Sequence, residues 1–277
     1  MNPSLTTALQ LLRADAPGAI SDVPESWPRW TVLLPHVLAA VEHADSLPGL
    51  AAVDELAWLL DRAATYLQVQ GRLAARRLME RSMAITESAR GPDHPVVGIR
   101  LSNLAILLRE LGEPAEALPL AERALTIAEA VYGPRDPSIG TRLNSLADIL
   151  RDLGRHTEAQ PLAERALKIT ETAYGPVNPQ VAVRLDNLAR ILRDLNKPAA
   201  AKPLLERALA IAEASYGPDH PHVAIYLNEL AIALNRLDQS DSCRSLFERA
   251  IAITEAAYGP EHPWVAIYRH NLERYEQ

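Results

Sequence analysis

Between Pro137 and about Leu153, the apolar residues Ile139, Leu143, Leu146, Ala147 and Leu150 recur three and four positions apart, with polar residues between them. That spacing predicts a helix with one apolar face. From about Thr157 to Tyr174 the residues Ala159, Leu162, Ala166, Leu167 and Ile169 keep the same rhythm, which predicts a second helix, with Gly154 separating the two. Helices of this length run about 25 Å at 1.5 Å per residue. Each has an apolar face that a single helix pair cannot bury, so the pair must stack on neighbours.

The pattern recurs. Gly91, Gly133, Gly175, Gly217 and Gly259 lie 42 residues apart, inside GPDHP, GPRDP, GPVNP, GPDHP and GPEHP. The text between them repeats as well: LGEPAEALPLAERALTIAEAVY, LGRHTEAQPLAERALKITETAY, LNKPAAAKPLLERALAIAEASY and LDQSDSCRSLFERAIAITEAAY. Self-similarity at such a period marks a repeat architecture. The match covers roughly 72 to 277, and residues 53 to 90 read as one further, slightly offset repeat. The expectation is therefore an all-α array over 53–277, about five helix pairs plus a terminal helix ending at Gln277. Residues 1–52 carry LTTALQLL, DVPESWPRW and LLPHVLAAVEHA without the repeat. They are expected to form a helical cap on the open end, with Trp27, Trp30 and Trp58 in a capping core.

The paired patterns, with L-x-x-L-A in the first helix and A-x-x-L-x-x-R-A-L-x-I in the second, resemble tetratricopeptide repeats of the 42-residue kinesin-light-chain variety. The resemblance implies a right-handed superhelix of antiparallel helix pairs. It also implies that the first helices line a concave groove, commonly used for peptide or protein segments. The N-terminal part, where a WP-containing helix leads into 42-residue repeats, also resembles the sensor region of bacterial signalling NTPases of the NB-ARC type. Those carry a nucleotide-binding part, and no G-x-x-x-x-G-K-[ST] occurs in this sequence. A sensor or regulatory piece lacking its nucleotide-binding domain is the alternative expectation that follows.

Apolar residues make up 48% of the chain but aromatics only 5%, so the core must be built from Ala, Leu and Ile. The formal charge of -7 argues against a nucleic-acid binder, since such affinity rests on a basic surface. The lone Cys243 excludes an intrachain disulfide and a cysteine-rich zinc site, and is typical of a reducing, cytoplasmic protein. No window of about 18 uncharged apolar residues predicts a membrane span.

A residue present in every repeat belongs to the fold before it belongs to chemistry. His94, Asp136, Asn178, His220 and His262 share one column, before a proline. Asp and Asn are helix N-cap residues and proline suits the first helical position, so capping, and no metal centre, is expected there. Tyr132, Tyr174, Tyr216 and Tyr258 close the second helices, and Cys243 shares its column with Ala117, Ala159 and Ala201, a small core position. Arg123, Arg165, Arg207 and Arg249 recur with an adjacent Glu and are expected to pair between repeats. Pro119, Pro161 and Pro203 predict a late start or a small bend of the second helix. No catalytic constellation, cofactor or metal site emerges.

What varies is the polar side of the first helix. One column reads Ser102, Asn144, Asp186, Asn228, His270; the next reads Asn103, Ser145, Asn187, Glu229, Asn271. A third reads Arg109, Arg151, Arg193, Asn235, and a fourth Ile106, Asp148, Arg190, Ile232. Residues 144, 148 and 151 share one helical face. The candidate groove is thus Asn103, Arg109, Asn144, Asp148, Arg151, Asn187, Arg190, Arg193 and Asn228. By the family resemblance, its asparagines can bond a ligand's backbone. The arginines favour an acidic peptide or protein segment, because a planar guanidinium fork suits carboxylates. The counter-expectation is that Arg109, Arg151 and Arg193 pair with the acids that follow them, Glu110, Asp152 and Asp194. The expected function is a non-enzymatic, cytoplasmic interaction module of undetermined oligomeric state, without nucleic-acid or membrane partners.

Overall fold

The computed structural model describes residues 3–18, 20, 26–45, 53–69, 74–237 and 240–275, and these are all helical or connecting, with no strand among them. The chain folds as two compact units, Met1–Val131 and Tyr132–Gln277.

The N-terminal unit holds α1 (Pro3–Asp15), α2 (Trp27–Asp45), α3 (Val53–Val69), α4 (Ala74–Arg90), α5 (Pro95–Glu110) and α6 (Pro114–Tyr132). Helices α1, α2 and α3 pack on one another. The side chain of Trp30 is fully buried, donates from Nε1 to the Pro17 carbonyl at 3.0 Å and stacks on Tyr66. Trp27 donates to the Ile20 carbonyl at 3.0 Å, and Arg13 lies over the Trp58 ring. Large aromatics whose N–H groups find carbonyls serve burial. The part of DVPESWPRW at 22–25, the boundary at 52 and the end at Gln277 lie outside the described residues.

The C-terminal unit holds α7 (Pro137–Asp152), α8 (His156–Tyr174), α9 (Pro179–Asp194), α10 (Pro198–Tyr216), α11 (Pro221–Asn235), α12 (Ser240–Tyr258) and α13 (Pro263–Tyr275). Successive helices pack as antiparallel pairs. Val181, Leu185, Ala208, Ile211, Val223, Leu227 and Ala250 form a shared core across α9 to α12. Close packing needs small residues where helices cross. A Cβ on Gly140 of α7 would come within 3.1 Å of Thr170 Oγ1 and 3.4 Å of the Ala166 carbonyl on α8.

The register is set by caps. The side chains of His94, Asp136, Asn178, His220 and His262 each accept from the backbone N–H two residues on, at 3.2, 2.8, 2.9, 3.2 and 3.3 Å. Each satisfies one of the orphan donors of a helix start, with proline at the first helical position. At the preceding helix ends Gly175 and Gly217 have φ of 83° and 91°, a region a Cβ would strain.

Of the two alternatives expected at the prolines of the second helices, a late start or a small bend, the late start does not occur. Helices α6, α8 and α10 begin at Pro114, His156 and Pro198, so Pro119, Pro161 and Pro203 lie inside them. So near the N-terminus, each missing N–H removes a single helical bond.

Candidate functional site

The polar face expected from the columns forms in the C-terminal unit, on α7, α9, α11 and α13. Asn144 is buried and donates from Nδ2 to Asp148 Oδ2 on the next turn at 3.2 Å. Asn187, also buried, donates to the Asn144 carbonyl at 3.3 Å, and Asn271 donates to Asn228 Oδ1 at 2.9 Å. Each of these rungs links adjacent first helices across 43 residues. The amide ladder therefore spans repeats, in an offset of one residue more than the repeat length.

The rung between these two is different, because Asp186 and Glu229 occupy it. Burial and the neighbouring Glu229 charge push the Asp186 carboxyl up to about 7, against the pull of Arg190 and Arg193. The carboxylate of Glu229 is held by Arg193 Nη1. Asp186 Oδ1, Asn144 Oδ1 and Asn187 Oδ1 are buried and have no protein partner, and the same holds for Arg190 Nε and Arg193 Nε. A buried polar atom left unbonded costs about 1–3 kcal/mol, so the face keeps unused bonding capacity just beneath its surface.

The arginine ladder exists but is engaged. Arg151 donates to Asp152 at 2.8 Å and lies 4.0 Å from Asp194 across the helix gap. Burial works against its charge, yet the hydrogen bond to Asp152 and the Asp148, Asp152 and Asp194 charges outweigh it and raise its pKa. Arg193 is held by Glu229 and lies 4.0 Å from Asp194. Arg190 is half-buried beside Asp186. The remaining two candidates, Asn103 and Arg109, sit half-buried on α5 of the N-terminal unit.

Sequence reasoning missed two features. One is Arg236, which donates to the Arg193 carbonyl at 2.8 Å and helps line a cleft of about 290 Å³ with Asn235, Phe247, Asn271 and Arg274. Its column otherwise carries Glu110, Asp152 and Asp194, and that reversal of charge was the available signal. The other lies in the N-terminal unit, where Arg100 of α5 pairs with Asp61 of α3, both side chains under 10% exposed. Arg100 also donates to Thr86 Oγ1 at 2.6 Å. Burial pushes Asp61 up and Arg100 down, each partly offset by the other's charge. The sequence gives no register linking the offset repeat to α5, so nothing there announced the pair.

The second-helix arginines behave as expected of structure. Arg207 and Arg249 bridge to Glu171 and Glu213 of the preceding repeat at 2.6 and 2.8 Å, and Arg123 pairs with Glu87. Cys243 is fully buried, which pushes its thiol up and away from nucleophilic use. Among the described residues no group of three or more His, Cys, Asp or Glu could hold a metal ion, and no helix is long and apolar enough to cross a membrane.

The tetratricopeptide repeat family matches residues 54–130, 138–214 and 223–277, most of the chain. The chain belongs to this family. Several solved structures are similar over most of their own length. A putative kinesin light chain from Podosopora anserina, with nearly identical TPR-like repeats, is 25% and 24% identical in two solved structures; the match covers 72% of this chain in each and 94% and 95% of the solved chains, with TM-scores of 0.62 and 0.61. BtubC from P. vanneervenii is 21% identical over 87% of this chain and 94% of that one, TM-score 0.66. A Rap protein solved with Competence and Sporulation Factor is 15% identical over 88% of this chain and 67% of that one, TM-score 0.69. No curated protein sequence matches. The family match lies within the repeats; the likeness of the N-terminal part to NB-ARC sensor regions rests on its sequence alone.

Proposed function

We propose that this tetratricopeptide repeat protein is a non-enzymatic interaction module that holds an extended peptide or protein segment on the polar face of its first helices. The observation that carries the reading is the ladder of Asn144, Asn187 and Asn228, with the Asn144 and Asn187 amide oxygens buried and unbonded. In this reading those oxygens accept from backbone N–H groups of the bound segment. A ligand that satisfies them removes a cost already present in the unliganded protein. A protein of similar fold, a Rap protein, is solved in complex with Competence and Sporulation Factor, which fits such a role.

The ladder also changes the expected ligand chemistry. Arg151 and Arg193 spend their charge on Asp152, Asp194 and Glu229, so backbone bonding, not charge, dominates along most of the face. The preference for acidic groups is confined to the cleft where Arg236 and Arg274 lie beside the engaged Arg193, and there an acidic side chain or a terminal carboxylate of the segment meets Arg236 and Arg274.

The test uses substitutions that sibling repeats already carry. Ser102 and Ser145 stand in the columns of Asn144 and Asn187, so N144S/N187S keeps the fold. Peptides selected from a random library on the wild-type protein should lose at least about tenfold in affinity for this variant, the scale of one or two lost hydrogen bonds. Unchanged affinity for an intact helical variant would refute the assignment.

A further inference from the structure

A cleft of about 440 Å³ lies in the C-terminal unit, away from the first-helix face, where the turn before α7 meets α8. Pro134 and Arg135 form one wall; Arg165, Lys168, Ile169 and Thr172 form the other. Arg165 Nη2 donates to the Pro134 carbonyl at 3.1 Å and fixes the turn against the helix. The scaffold recurs in the next two repeats, where Arg207 and Arg249 donate to Pro176 and Pro218 at 2.8 Å.

The lining does not recur. At the position of Arg135 the other repeats carry Asp93, Val177, Asp219 and Glu261, and at that of Lys168 they carry Thr126, Ala210 and Ala252. One repeat thus replaces an acidic or neutral rim with two cations. Neither Arg135 nor Lys168 makes an ion pair among the described residues, and the nearby acids are committed elsewhere. Asp136 caps α7 by accepting from Ser138 N–H, Glu164 accepts from Gln160, and Glu171 pairs with Arg207. Arg135 and Lys168 thus place two cations at one rim in a chain of net charge -7. Ile169, buried beneath them, supplies an apolar floor.

We propose that this cleft binds a small phosphate monoester with an apolar body, its phosphate held between Arg135 and Lys168 and its body laid on Ile169 and Pro134. A phosphate monoester carries about -1.5 to -2 at neutral pH, which matches two cations where a carboxylate would leave one uncompensated. The guanidinium offers a fork to two phosphate oxygens and the ammonium a point charge. The volume falls within the roughly 300–1,000 Å³ of small-molecule sites. The site shares no residue with the face assigned to peptide binding, so either assignment can fail alone.

Isothermal titration at low salt, with phenyl phosphate, inorganic phosphate and benzoate as probes, tests it. Phenyl phosphate should bind at one molecule per chain, with inorganic phosphate and benzoate each at least about tenfold weaker. The variant R135D/K168A restores residues found in sibling repeats and should lose phenyl phosphate binding by at least about tenfold while keeping its unfolding midpoint. The converse variant V177R/A210K, at two exposed positions of the next repeat, should raise the stoichiometry to two. Absent saturable binding to the wild type, equal binding by inorganic phosphate or benzoate, undiminished binding by R135D/K168A, or a stoichiometry that stays at one in V177R/A210K would each overturn the proposal.

Discussion

Replacing Asp186 by Asn should change how stability depends on pH. The Asp186 carboxyl stands at about 7 in the fold because burial and then Glu229 disfavour its charge, against an ordinary value of 3.8. The folded pKa is raised above the unfolded one, so between these two values the folded chain holds a proton that the unfolded chain has released. Stability then falls as pH rises through that window, by at most about 1.4 kcal/mol per pH unit, and levels off above it. In D186N the amide donates to Glu229 and copies the neighbouring rungs, and this contribution vanishes. Urea unfolding followed by helical circular dichroism, at roughly pH 5, 6 and 8 for both proteins, gives the difference curve; other titrating groups cancel in it. The wild type should lose ground to D186N by about 1 kcal/mol or more over the range. Parallel curves, or a wild type that gains on the variant with rising pH, would refute the burial of a carboxyl at this rung.

Two further outcomes follow from the packing. Asp61→Asn leaves the buried Arg100 guanidinium without its counter-charge and should cost about 3–5 kcal/mol in unfolding free energy, whereas D61L/R100M should recover most of it. Asn178→Ala removes the cap that accepts from Gln180 N–H and should cost about 1 kcal/mol, read from the denaturation midpoint.

The helices were legible in the sequence because apolar spacing, cap residues and glycines all fall in one register. Pro137 begins α7 and Tyr174 ends α8 as the pattern indicates. The candidate face was legible only as columns. A column says which residues share a position in successive repeats, and not which of them meet. Asn187 reaches Asn144 because the ladder is offset by one residue, and the same offset sets Asp186 against Glu229. That juxtaposition, like the engagement of Arg193, depends on how neighbouring helices are phased. Pro161 lies inside α8 because the loss of one bond in the opening turns is small beside the packing of the whole helix.

The most direct test of the central claim is a hydrogen-exchange footprint of a library-selected peptide bound to the full chain. Protection, together with loss of affinity in N144S/N187S, should fall on α7, α9 and α11; protection confined to α8, α10 and α12 or to the capped turns would contradict it.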